Sequence, residues 1–128
     1  MRNYQRKVNN PYLLPHNLYV RVKYLVRDYD RLKSEMEDIL HEMPKGDTRG
    51  TPVSASNPVA EKAVRRERLR KDLEAVDQAT LVIPEEYRKG VLNHVKYGVR
   101  FPDYGERKTW FAHQAKFLYY IAVRLGEL

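Results

Sequence analysis

The sequence contains no cysteine. That excludes disulfides, thiolate metal ligands and a cysteine nucleophile, and it accords with a reducing compartment, so a cytoplasmic location is expected. Long apolar runs are missing too, and without a window approaching eighteen such residues no membrane span is expected. Met1 to Asn10 is polar and lacks the apolar stretch of a signal peptide. Glycine is scarce, and the six residues (Gly46, Gly50, Gly90, Gly98, Gly105, Gly126) are too scattered for a phosphate loop or a dinucleotide fingerprint.

Catalytic groupings are equally sparse. No two of His16, His41, His94 and His113 stand at the i, i+4 spacing of a helical zinc site, and no carboxylate joins them in ligand order. Glu85 and Glu86 open a predicted helix, where carboxylates favour the dipole, and that role explains them without paired acid–base chemistry. The serines fall on helix exteriors or in a linker, which leaves no Ser-His-Asp set. Neither an enzyme active site, nor a metal, nor a cofactor is expected. Period-two alternation is absent as well, so the predicted fold class is all-α.

What is abundant is positive charge. Lys and Arg number 24 against 17 Asp and Glu, giving a formal net charge of +7, with a pI near 9.6. A chain this basic favours polyanions through counterion release and steering, and a pI above about 9 belongs to the electrostatic footprint of nucleic-acid binders. Hydrophobic residues make up 42%, enough for a core. Ten tyrosines supply apolar bodies with polar tips suited to half-buried helix contacts.

Along the chain, Met1 to Leu14 reads as a basic, irregular arm carrying Arg2, Arg6 and Lys7. A first helix is predicted from Pro15 to Met43. Its apolar residues Leu18, Val22, Leu25, Tyr29, Leu32, Met36, Ile39 and Met43 alternate steps of four and three, a heptad seam sustained for more than three repeats. Arg21, Lys23, Arg27 and Arg31 are assigned to the opposite face. Pro44 to Asn57 reads as a flexible linker. Asn57 and Pro58 cap a second long helix running to about Thr80, with Val59, Ala63, the stem of Arg66, Leu69, Leu73, Val76 and Thr80 as its buried stripe. Pro84 seeds a third helix ending at Tyr97, with Gly98 as its C-terminal cap. A last helix spans about Glu106 to Leu125 and presents Trp110, Phe111, Ala115, Phe117, Leu118, Ile121, Ala122 and Leu125 on one broad face. The expected organisation is residues 1–57 as arm, long heptad helix and linker, and residues 58–128 as the second long helix with a C-terminal helical pair.

The C-terminal half carries the candidate binding chemistry. Arg100, Arg107 and Lys108 crowd the loop and the start of the last helix, and a helix N-terminus flanked by cations suits phosphate. Placed in a major groove, first-turn side chains of such a helix reach base edges. A second basic patch lies at Lys62, Arg65, Arg66 and Arg70.

The segments NNPYLLPHNLYVRVKYLVRDYDRLKSEM, LEAVDQATLVIPEEYRKGVLNHVKYGVRFPDY and KFLYYIAVRLGEL resemble small proteins encoded in prophages of Gram-positive bacteria, similar in layout to the RinA and ArpU families of phage late-gene regulators. The resemblance implies a C-terminal helix-turn-helix related to that of sigma factors. It is abbreviated here, because only Val99 to Gly105 stands where a short middle helix would lie, and Pro102 disfavours helical backbone at Phe101. On this resemblance the recognition helix is Glu106 to Leu125, with Arg107, Lys108, Thr109, His113 and Lys116 facing DNA.

Two functions are compatible with these residues. One is a transcriptional regulator binding double-stranded DNA, with RNA polymerase or another host protein as a further partner and a homodimer through the heptad seam. The other is a non-catalytic protein-interaction module, such as a phage-encoded inhibitor of a host protein or a small packaging component.

Overall fold

Pro15 fixes the backbone just ahead of the first helical residues, and its carbonyl accepts the amide of Tyr19 at 2.9 Å. In the computed structural model, which describes residues 5–42 and 58–128, five α-helices follow: α1 (His16–Arg27), α2 (Tyr29–Glu42), α3 (Pro58–Thr80), α4 (Glu85–Tyr97) and α5 (Arg107–Arg124). Among the described residues there is no strand. The fold is all-α. The predicted end of the first helix at Met43, the linker Pro44 to Asn57 and the cap at Asn57 lie outside the described residues.

The first helix is not continuous. It is interrupted at Asp28, whose backbone has φ −86° and ψ −3°. Asp is a poor interior helix residue because its side chain competes for nearby backbone groups. The interruption leaves the register unchanged: the Asp28 amide donates to Tyr24 O at 2.9 Å and the Leu32 amide donates to Asp28 O at 2.8 Å. The apolar seam therefore passes through the break, but its two halves meet different partners. α1 packs on α4 and α5, whereas α2 packs on α3. Leu18, Val22 and Ile39 of the seam are buried, and Leu25, Tyr29, Leu32 and Met36 are half-buried. Lys23, read from the sequence as a polar-face residue, is buried.

Along α3 the buried stripe is Leu69, Ala75, Val76 and Ala79, while Val59 and Ala63 near its start are exposed, in contrast to the expected stripe. The chain then turns through Leu81 to Pro84. Arg88 reaches back from α4 and donates to Ile83 O at 2.8 Å, helping to satisfy carbonyls at that turn. Gly98 ends α4 in the left-handed conformation at φ 69°, as the sequence predicts, which a side-chain-bearing residue would adopt only with strain.

α5 is the central helix, touching α1, α3 and α4. Trp110, Gln114, Phe117, Leu118, Ile121 and Ala122 form its buried face. The core draws on α1, α3, α4 and α5 together, so residues on both sides of the predicted 57/58 boundary share one interior. Close packing of α4 on α5 depends on Gly90: a Cβ there would lie 2.5 Å from the Trp110 ring and 3.0 Å from Pro102.

Candidate nucleic-acid interface

The loop between α4 and α5 contains no helix, yet it is pinned at several points. His94 Nδ1 pairs with Val99 O at 2.9 Å. The Phe101 ring stacks on His94 with centroids 4.0 Å apart, and on its other flank lies near-parallel to Trp110 at 5.3 Å. Trp110 Nε1 donates to Tyr104 O at 2.8 Å, and Tyr104 Oη donates to Glu86 O at 2.8 Å. The first amides of α5 turn on Glu106, whose carbonyl accepts Thr109 N at 2.9 Å. The loop backbone is thus held by its own aromatic residues rather than by secondary structure.

On this support stand the sequence-predicted cations. Arg100 adjoins the Phe101 anchor and is exposed. Arg107 and Lys108 open α5 and are exposed. The Arg107 guanidinium lies 5.5 Å from the Phe111 ring centroid, a contact that orients the group and leaves its charge in place. Among the described residues, neither Arg100, Arg107 nor Lys108 makes an ion pair, although Asp103 and Glu106 belong to the same loop.

The remaining predicted residues divide. At 100° per residue, Lys108, Ala112 and Lys116 share the stripe of α5 opposite its buried face, with Lys116 half-buried and Thr109 beside it at the stripe's edge. His113 leans away from the stripe and packs on Tyr87 with centroids 4.6 Å apart. Burial, reinforced by Lys116 and opposed by Glu86, holds the His113 imidazole below its ordinary pKa. It is a neutral flank of the surface rather than a further cation.

The second predicted patch is built differently. Lys62 Nζ lies 3.1 Å from Glu42, and Arg65 pairs with Glu35, so both side chains tie α3 to α2. Arg70 bridges Glu67 and Glu74 along its own helix at 2.6 Å each. Arg66 is half-buried and engaged within the chain. Three of the four charges of this patch, Lys62, Arg65 and Arg70, are matched by carboxylates.

A concavity of about 1320 Å³ between α1, α3 and the end of α5 has Leu18, Val22, Leu25 and Ala75 among its lining residues. Its rim pairs Arg21 with Glu127 at 3.5 Å, and it lies away from the Arg100, Arg107 and Lys108 group. A smaller polar brace joins three helices. Tyr29 Oη donates to Asp77 at 2.6 Å, Lys96 Nζ donates to Asp30 at 3.2 Å, and Tyr97 donates to the same Asp30 carboxylate. Those bonds hold Asp30 below, and burial with the Asp77 bond holds Tyr29 above, its ordinary pKa. Among the described residues, no group of three or more His, Asp or Glu side chains is placed to hold a metal ion, and no helix is long and apolar enough to cross a membrane.

Sequence reasoning passed over Gln5, whose side-chain amide closes the N-terminal segment onto Leu14, and Tyr12, which packs on Tyr119. The only signal for either was the polar arm itself. Compared with known families, curated proteins and solved structures, the chain matches none.

Proposed function

We propose that this protein is a phage-type transcriptional regulator that binds double-stranded DNA through its C-terminal helical half. The observation that carries the reading is the contrast in ion pairing: the cations at Arg100, Arg107 and Lys108 stand exposed without carboxylate partners among the described residues, at a loop held by aromatic packing. Unpaired cations displace counterions from phosphate when they bind, whereas cations already matched by carboxylates give up that attraction first. A pinned loop also loses little conformational freedom on binding. The regulatory role rests on the resemblance to prophage proteins, and the surface chemistry supports the DNA contact.

In this reading, Arg100, Arg107 and Lys108 meet phosphate. Thr109 and Lys116 line the outward stripe of α5, and Ala112 between them allows close approach of the groove wall. With so much of α5 committed to the core, base reading is confined to that narrow stripe.

The test is duplex binding as a function of salt. The parent protein should lose affinity by orders of magnitude between about 50 and 200 mM salt. Arg107→Ala with Lys108→Ala should weaken binding to all sequences and lower the salt slope by about two, while the melting temperature stays near that of the parent. No binding by the parent at low salt, or a double variant that binds like the parent, would overturn the reading.

A further inference from the structure

The N-terminal segment forms a closed loop. Gln5 Nε2 donates to Leu14 O at 2.8 Å, and Leu14 N donates to Gln5 Oε1 at 2.8 Å, so one side chain mimics a two-bond backbone pairing and ties residues nine apart. Inside the loop, Asn10 Nδ2 donates to Arg6 O at 2.7 Å and Tyr12 N donates to Asn10 Oδ1 at 3.0 Å. Asn9 turns the chain at φ 55°. Leu14 is buried beneath, and Tyr12 packs edge-on against Tyr119 with centroids 5.4 Å apart. Arg6 and Lys7 are left exposed, and neither makes an ion pair among the described residues.

The docking point matters. Tyr119 continues the outward stripe of α5 that begins at Lys108, eleven residues and about 17 Å further along at 1.5 Å per residue. The stripe therefore has cations at both ends: Arg100, Arg107 and Lys108 at one, and the loop bearing Arg6 and Lys7 at the other. The major groove of B-DNA is about 12 Å wide, so a stripe of this length outspans it.

We infer that α5 crosses the major groove with its two cationic ends on opposite phosphate backbones, and that the closed loop carrying Arg6 and Lys7 is the second phosphate contact. This rests on the DNA-binding reading and adds the loop to it. The Gln5 clamp fixes where those two charges stand, so the loop meets DNA already ordered.

The experiment combines phosphate ethylation interference with salt-dependent affinity on the full chain. The parent should show two groups of sensitive phosphates facing each other across one major groove. Arg6→Ala with Lys7→Ala should erase one group, leave the other, weaken binding about tenfold near 0.1 M salt and lower the salt slope by about two. Gln5→Ala keeps both charges but releases the loop, so affinity should fall while the slope stays near the parent's. If the parent binds DNA but the Arg6, Lys7 double variant keeps both phosphate groups and parental affinity, the loop inference fails and the DNA reading stands. If the parent shows no binding at low salt, both fall.

Discussion

The first half of α3 and the junction leading into α5 are both rich in Lys and Arg, and the two regions use that charge in opposite ways. In α3 three of the cations are internal fasteners: Lys62 and Arg65 reach across to Glu42 and Glu35 of α2, and Arg70 is held between Glu67 and Glu74. At the junction, Arg100, Arg107 and Lys108 have no such partners among the described residues; Arg107 lies against the Phe111 ring and the loop beside them is packed by aromatic rings. Charge density along a sequence thus says little about charge available to a ligand. What decides it is whether the neighbouring helix presents carboxylates or rings.

The comparison is broken most severely by removing the aromatic support. Trp110 is buried, donates to Tyr104 O, and lies between Tyr87 and Phe101. Trp110→Ala should cost about 3–5 kcal/mol of stability. It should also free the loop, so that DNA affinity falls even at temperatures where the helices remain formed. Thermal unfolding and affinity measured on the same samples check this; an unchanged melting temperature would mean that the ring does not support the loop.

A smaller effect sharpens the comparison. Replacing Lys62, Arg65 and Arg70 together with Ala removes three formal charges from α3 but only cations that are already matched. Affinity for duplex DNA should stay within about twofold of the parent near physiological salt, with a modest drop in melting temperature from the loosened contact between α2 and α3. A loss as large as that of the Arg107, Lys108 double variant would make the two regions equivalent.

The smallest effect is a pH response of the loop support. Burial, together with the charges of Lys23 and Arg107 and against the bond to Val99 O, holds the His94 imidazole below its ordinary value of 6.5. His113 is shifted the same way. The folded protein therefore binds protons at these rings less readily than the unfolded chain does. Their contribution to stability is fully present above about pH 6.5 and is lost as pH falls through that value toward the folded-state pKa. The melting temperature should drop between about pH 7.5 and 5, and His94→Gln should flatten that part of the curve. An identical acid slope in the variant would assign the loss to other groups.

Much of the helical layout was legible in the sequence because a 3.6-residue period is written in side chains that must be buried, and because Pro15, Pro84 and Gly98 mark boundaries by backbone chemistry alone. The interruption at Asp28 was not legible, since the i, i+4 amide bonds and the apolar register both pass through it. Nor was the burial of Lys23, whose position on α1 becomes interior only when α4 and α5 close over it. The neutralisation of the α3 patch depends on Glu35 and Glu42, distant in sequence and brought near by the packing of α2 on α3. The exposure of Arg107 and Lys108 was legible at the start of an amphipathic helix, whereas the packing of His113 on Tyr87 depends on a residue of another helix.

The division of the seam at Asp28 also bears on pairing between copies of the chain. An unbroken heptad stripe in a free helix is a zipper, and two such helices would pair. Here one half of the stripe is closed over by α4 and α5 and the other by α3. To offer the whole stripe to a second molecule, the chain would have to strip Leu18, Val22 and Ile39 of their cover, at about 1.5–3 kcal/mol for each side chain returned to water. The seam as packed closes on its own chain, so pairing through its whole length would compete with folding.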